Sequence, residues 1–261
     1  MKNSLANIKY KETGNIAQLT IESPPANALS SSIIQEIDQY LDDIERNPKM
    51  KAVVIHGEGR FFSAGADIKE FTDITVPKQF SKLSTKGQKV FNRIEEFHIP
   101  IIAAIHGAAL GGGLELSMSC HMRIVAENAQ LGLPELTLGI IPGFAGTQRL
   151  PQLVGTPKAT EMMLTGEAIT GKEAAQLGLV NAVVSEEEVL QQAINLAEKV
   201  AEKSKPTIEK IMELVRYAKA GNFSEGAKQE ADSFGVLFGT EDAKEGISAF
   251  LEKRKPNFKD K

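Results

Sequence analysis

Short, β-branched and nearly uncharged runs recur through the first two-thirds of this chain, with amphipathic stretches between them. That alternation restricts it to an α/β fold whose strands are covered on both faces. The runs are Ala17–Ile21, Ala52–His56, Ile101–Ile105, Met122–Ala126 and Val180–Val184. Between them, Ser30 to Arg46 sets Ile33, Ile34, Ile37, Leu41 and Ile44 on one helical face. Phe80 to Phe97 does the same with Leu83, Val90, Phe91 and Ile94. Beyond Ser185 the pattern is helical only. Thr170 with Glu173 and Ser185 with Glu188 read as capping boxes, Lys205-Pro206 opens a further helix, and Thr240 caps a last one through Phe250 to Lys253. The expected division is a mixed strand-and-helix core over 1–200 and a helical region over 201–261.

Composition narrows the function classes. The 261 residues carry 30 Lys+Arg against 34 Asp+Glu, a net charge of −4, which argues against a general nucleic-acid binder. No apolar run approaches the ~20 residues that span a bilayer, so no membrane partner is expected. The stretch from Met1 to Lys11 is polar and of mixed charge, unlike a signal or transit peptide. The single cysteine, Cys120, permits no intrachain disulfide and suits a reducing compartment. A cytoplasmic protein is expected.

Chemistry concentrates where glycine does. Of 22 glycines, Gly57, Gly59 and Gly65 form one cluster, Gly107, Gly111, Gly112 and Gly113 a second, and Gly139, Gly143 and Gly146 a third. Each lies after a strand or at a helix start, where glycine lets backbone N–H groups approach a ligand. Gly111-Gly112-Gly113 after Ile101–Ile105 imitates a dinucleotide-binding turn, but Leu116 stands where its last glycine belongs and Glu135 does not end a strand. Phosphate-loop, nucleophile-elbow and zinc-protease motifs are absent. His56, His98, His106 and His121 lack metal-ligand spacing, and no metal site is expected. Glu115 and Glu135 stand out. Glu115 interrupts the apolar Leu114-Glu115-Leu116 near a helix start, and Glu135 follows Pro134. First-turn acids are ordinary, but neither has a Lys or Arg close by in sequence, and a carboxylate in a buried segment needs a reason.

Ser63-Ala64-Gly65-Ala66-Asp67-Ile68-Lys69, Ala109 to Leu116, Leu133 to Gly143 and Gly146-Thr147-Gln148-Arg149-Leu150 together resemble the crotonase (enoyl-CoA hydratase/isomerase) superfamily, as does Phe250 to Phe258. The similarity runs almost end to end. It implies a spiral of ββα turns followed by a helical C-terminal region that builds trimers or dimers of trimers. It implies an acyl-CoA thioester as the bound molecule and no separate cofactor, coenzyme A being part of the substrate. Within the superfamily the presence of both glutamates is most similar to the hydratases, with Glu115 activating water and Glu135 delivering a proton. The resemblance places the backbone N–H groups of Ala66 and Gly112 at the thioester oxygen. Ala64, Ala66, Asp67, Ile68 and Lys69 would meet the nucleotide, with Asp67 holding the loop, and Phe250 and Lys253 would reach it across a subunit boundary.

One departure stands in Pro142-Gly143-Phe144-Ala145-Gly146, where hydratases commonly carry Ala-Gly in place of Phe144-Ala145. It bears on acyl-chain preference more than on reaction type. The nearest alternatives are an enoyl-CoA isomerase or branched-chain enoyl-CoA hydratase of the same superfamily. A non-catalytic acyl-CoA- or RNA-binding relative is disfavoured by the intact glutamates and the net charge.

Overall fold

The buried β-branched runs become neighbouring strands of one sheet. A computed structural model describes residues 6–72 and 76–261, so residues 1–5 of the polar N-terminal stretch lie outside the described residues. The chain enters through an antiparallel hairpin, β1 (Ile8–Thr13) and β2 (Ile16–Ile21). Helix α1 (Ser31–Glu45) follows, its first turn capped by the Ser30 side chain. Strand β3 (Ala52–Gly57) leads to a short helix α2 (Lys69–Thr72) and the long helix α3 (Pro77–Glu95). The next turns are β4 (Ile101–Ile105), β5 (Ala108–Leu110) and α4 (Gly112–Ser119), then β6 (Met122–Ala126), β7 (Gln130–Gly132), a 3-10 turn at Glu135–Leu138, α5 (Gly146–Val154) and α6 (Thr156–Thr165). A two-residue strand β8 (Ile169–Thr170), α7 (Gly171–Gln176), β9 (Ala182–Val184) and α8 (Val189–Ala201) close the core.

The path is a spiral. The large sheet runs in the order β1-β2-β3-β4-β6-β9, and from β2 onward every pairing is parallel. Each turn steps one place along it. Each also touches a smaller sheet, β5-β7-β8, extended by isolated bridges between Ser63 and Ala109 and between Leu29 and Ala66. A turn of strand, short strand and helix therefore repeats; the first two glycine clusters begin where the chain leaves the large sheet for the small one, and the third lies between the small sheet and α5. Strands β3 and β4 are buried at every position, and α8 packs across β3, β4 and β6. This double cover explains why these runs lack charge.

Helices α9 (Lys205–Lys219), α10 (Phe223–Phe238) and α11 (Glu241–Leu251) follow without a strand, as the sequence pattern predicts. Thr240 caps α11, though the helix ends at Leu251 rather than Lys253. The last helices leave large apolar side chains uncovered: Phe223, Phe234, Phe238, Phe250 and Leu251 are all exposed. No helix among the described residues is long and apolar enough to cross a membrane.

Candidate active site

The two glutamates come together at the first turn of α4 by different routes. Glu115 is the fourth residue of α4 and is almost wholly buried, at 1% exposure. Its Oε1 accepts hydrogen bonds from the backbone N–H groups of Phe144 at 2.8 Å and Gly146 at 2.7 Å. Those donors come from the loop leading into α5, about 30 residues away. A side chain on residue 146 would have no room, because a Cβ there would stand 2.9 Å from the same Oε1.

Glu135 opens the 3-10 turn after Pro134 and is only partly buried. Its Oε1 lies against Gly111, where a Cβ would approach to 3.0 Å; its Oε2 is shielded from solvent and has no hydrogen-bond partner. Gly111 caps α4 with φ 51°, a conformation that glycine adopts freely and other residues resist. The Glu115 N–H donates to the Gly111 carbonyl, so one helical turn separates the places where the two carboxyls rest.

Both carboxyls hold protons more tightly than usual. Burial drives Glu115 up to about 7, and the nearby Glu135 charge adds to the rise; the two backbone N–H donors and the Arg149 charge pull the other way. Burial likewise raises Glu135, against a downward pull from its own backbone N–H. The hydrogen bonding distinguishes them. Two N–H donors aimed at one oxygen favour an ionised Glu115, whereas an unpartnered oxygen in a dry place favours a protonated Glu135.

Beside them stand two unclaimed N–H groups. Gly112 is the first residue of α4, so its N–H has no intrahelical acceptor. The Ala66 N–H makes no hydrogen bond among the described residues. The two segments touch: a Cβ on Gly112 would lie 3.2 Å from the Ala66 nitrogen, and one on Gly65 would lie 3.9 Å from the Gly112 nitrogen. The loop presenting Ala66 is pinned on both sides, with Leu29 N–H donating to the Gly65 carbonyl and Asp67 N–H to the Leu29 carbonyl. Paired donors at a helix N-terminus suit an oxygen that gains negative charge.

The remaining expected contacts divide into two places. Ala64, Ile68 and Lys69 are exposed along the Ala66 loop, and the Asp67 carboxylate accepts from the Lys69 N–H, a structural role. Phe250 and Lys253 lie exposed at the far end of α11, and no hydrogen bond or ion pair joins them to that loop among the described residues. The histidines serve the fold: His56 bonds the Thr20 hydroxyl on β2, and His121 accepts from the Ile101 N–H on β4.

Sequence reasoning missed the cradle of Glu115. The Phe144 and Gly146 N–H groups carry no side-chain signal, and only the clustering of Gly143 and Gly146 hinted that backbone does the work there. It left open the effect of Phe144-Ala145. The Phe144 ring is buried, edge-on to Phe91 at 5.1 Å between centroids. It occupies the space left by Gly87 on α3 and reaches Gly112. Ala145 holds φ 70°, a left-handed conformation that costs an alanine roughly 1–2 kcal/mol and explains why glycine is the easier choice there.

Known proteins resemble this chain in sequence and in fold. A Bacillus subtilis (strain 168) protein named "Probable enoyl-CoA hydratase" is 58% identical over 245 residues, covering 94% of this chain and 95% of that one. A "Short-chain-enoyl-CoA hydratase" of Clostridium acetobutylicum is 39% identical, with 96% and 97% covered. The crystal structure of an enoyl-CoA hydratase from Bacillus anthracis superposes with a TM-score of 0.93 at 36% identity, covering 98% of this chain and all of that one. The family profile described as "Enoyl-CoA hydratase/isomerase" matches residues 11–261, and with the spiral of strand, short strand and helix already traced, this chain belongs to that family.

Proposed function

We propose that the protein adds water reversibly across the C2=C3 bond of a 2-enoyl-CoA thioester, giving a 3-hydroxyacyl-CoA, as a hydro-lyase of fatty-acid β-oxidation. One observation carries the reading. One buried and one partly buried carboxyl, with opposite hydrogen-bond environments, meet beside the first turn of α4 and the free N–H groups of Ala66 and Gly112.

The chemistry follows from those positions. Attack at C3 drives negative charge onto the thioester oxygen, and the Ala66 and Gly112 N–H groups receive it. One such donor is worth ~2.7–4 kcal/mol of barrier. Glu115 in its ionised form, which the two N–H donors stabilise, takes a proton from water as the water oxygen bonds to C3. Glu135, protonated, gives its proton to C2, so one water is added and no charge is left on the product. The two carboxyls then exchange roles in the reverse reaction. Acid–base chemistry on an already activated thioester calls for no cofactor or metal, coenzyme A being part of the substrate.

The exposed loop with Ala64, Ala66, Asp67, Ile68 and Lys69 meets the nucleotide, Lys69 offering charge to a phosphate. Phe250 and Lys253, exposed at and just beyond the end of α11 and joined to their own loop by no hydrogen bond or ion pair among the described residues, act on a neighbouring subunit. The uncovered phenylalanines of α10 and α11 support a homo-oligomer, a trimer or a dimer of trimers, with 1–200 as its catalytic core and 201–261 as its assembly region. The cytoplasm is the compartment this reading implies.

The test is loss of the conjugated-thioester absorbance when purified protein meets crotonyl-CoA, with the product identified chromatographically. Formation of 3-hydroxybutyryl-CoA supports the reading. Tight acyl-CoA binding without turnover, or migration of the double bond of a 3-enoyl-CoA as the main reaction, would replace it.

A further inference from the structure

The loop that cradles Glu115 is itself held in an unfavourable shape, and one buried arginine grips it from α5. Arg149 lies on α5 at 4% exposure. Its Nη1 donates to the Phe144 carbonyl at 2.7 Å. The Phe144 N–H, at the other end of the same residue, is one of the two donors to Glu115. The guanidinium is anchored from behind on α3: Nη2 donates to Asn92 Oδ1 at 2.6 Å, and Nε and Nη2 both reach Glu95 Oε2, at 3.1 and 3.0 Å. Glu95 also pairs with Lys219 of α9.

Helix α3 meets the same loop at two more points. Gln88 Nε2 donates to the Gly143 carbonyl at 3.0 Å, and the Ser84 hydroxyl bonds that carbonyl too. Ser84, Gln88, Asn92 and Glu95 recur at steps of four, four and three, a single stripe of the helix. That stripe holds a segment of four residues in which Ala145 stands at φ 70°, a strained conformation that side-chain anchors help to maintain.

We propose that Arg149 is a positioning residue for Glu115: braced by Asn92 and Glu95, it fixes the Phe144 carbonyl so that the Phe144 and Gly146 N–H groups converge on one carboxylate oxygen. This rests on the hydratase reading for its kinetic consequence, but not for its structural one. Arg149 has two separable effects. Its fork fixes geometry, and its charge stabilises the ionised form of Glu115. The other ionisable groups around the pair are Glu135 on the 3-10 turn, Glu95 on α3, Lys219 on α9 and Cys120 at the end of α4, whose buried thiol is pushed up to about 12 and stays neutral.

The experiment compares Arg149→Lys, Arg149→Met and Asn92→Ala, each alone and in a Glu115→Gln background. Crotonyl-CoA kinetics are followed across pH, and the Glu115 carboxyl is titrated by infrared difference against Glu115→Gln. In Arg149→Met, kcat falls by ~100-fold with KM unchanged, as expected for a displaced catalytic group, and the acid limb of kcat/KM and the carboxyl band move to higher pH. Arg149→Lys loses rate but keeps the acid limb, since it keeps the charge without the fork. Little further loss appears when either change is added to Glu115→Gln, because the effect runs through that carboxylate.

Three results would overturn the assignment: unchanged kcat in folded Arg149→Met, an unmoved Glu115 titration, or an equal loss in the Glu115→Gln background. If Arg149→Met does not fold, Asn92→Ala removes one brace and is expected to lower kcat in the same direction, and no loss there counts against the proposal. If the wild type does not hydrate crotonyl-CoA, the hydratase reading fails while the infrared titration still decides whether Arg149 sets Glu115.

Discussion

Glu115 and Glu135 sit a helical turn apart, yet their surroundings are built from opposite materials. Glu115 belongs to a regular helix, is buried completely, and takes two N–H donors from a clamped loop. Glu135 opens a four-residue 3-10 turn, is half-open to solvent, and has an oxygen with no partner. The difference shows how one pair of identical side chains divides into a base and an acid: donors stabilise the charge on one, and a shielded oxygen with no donor disfavours charge on the other.

The sharpest way to break this comparison is to remove each carboxyl in turn. Glu115→Gln and Glu135→Gln each cost ~10²–10⁴-fold in kcat with crotonyl-CoA, measured by absorbance loss. Binding should respond unequally. Glu115→Gln keeps one oxygen able to accept from both Phe144 and Gly146 N–H groups but removes the charge those donors stabilise; Glu135→Gln keeps a neutral, proton-bearing group of nearly the same shape. Calorimetric affinity for the 3-hydroxybutyryl-CoA product should therefore fall further in Glu115→Gln. Equal loss of affinity would mean that the two environments are equivalent in function.

A second test uses stability rather than rate. The folded Glu115 holds its proton up to about 7, while an unfolded glutamate releases it near 4.5. The folded state thus binds more protons between those values. Its stability is greatest below the lower one and declines as pH rises through the higher one, by about 3 kcal/mol in all. Glu115→Gln carries no such penalty, so denaturant midpoints of variant and wild type should diverge in the variant's favour as pH rises through that window. Parallel curves would place the raised proton affinity elsewhere, with Glu135 the nearest candidate.

Two glycines probe the same contrast at the backbone. Gly146→Ala puts a methyl 2.9 Å from Glu115 Oε1, and Gly111→Ala puts one 3.0 Å from Glu135 Oε1. Either displaces its carboxyl and lowers kcat by up to ~100-fold. Only Gly111 has positive φ, so Gly111→Ala alone adds backbone strain of roughly 1–2 kcal/mol and should lower the thermal midpoint further. A drop in rate for both, with Gly146→Ala losing stability through overpacking and Gly111→Ala through overpacking and backbone strain together, is the expected pattern in paired activity and melting measurements.

Much of this molecule can be read from its residues, and the unread parts have physical reasons. Strands β2, β3 and β4 announce themselves because burial strips them of charge, and β6 is legible despite its buried Arg123 because the rest of it is apolar. Strand β1, Ile-Lys-Tyr-Lys-Glu-Thr, is an edge strand with mostly exposed positions and reads as a polar tail. Strands β5, β7 and β8 have three, three and two residues, too few to display a period. The run Val180–Val184 pairs only over Ala182–Val184. Helix α3 starts at Pro77, three residues before the apolar pattern does, because proline at a first helical position needs no hydrophobic partner. Glu115 is conspicuous as a carboxylate among leucines, but its donors are main-chain groups about 30 residues away. Their role depends on a loop shape that composition does not encode.

That loop supplies the smallest and most diagnostic effect. Ala145 has φ 70° and ψ 27° and caps α5, while its carbonyl accepts from the Gln148 and Arg149 N–H groups. A glycine there would relieve the left-handed strain at the cost of a more flexible unfolded chain, so Ala145→Gly should stabilise the protein by up to about 1 kcal/mol in denaturant melts. The Glu115 side of the site would then be less strained but no longer stiffened by a Cβ, whereas the Glu135 side would be untouched. If the clamp from α3 and Arg149 already fixes the loop, kcat and its acid limb stay where they were and only stability rises. A change in kcat with unaltered stability would show instead that Ala145 itself holds the Phe144 and Gly146 N–H groups on the carboxylate, and would shift the origin of Glu115's precise placement from the Arg149 brace to the backbone of the turn.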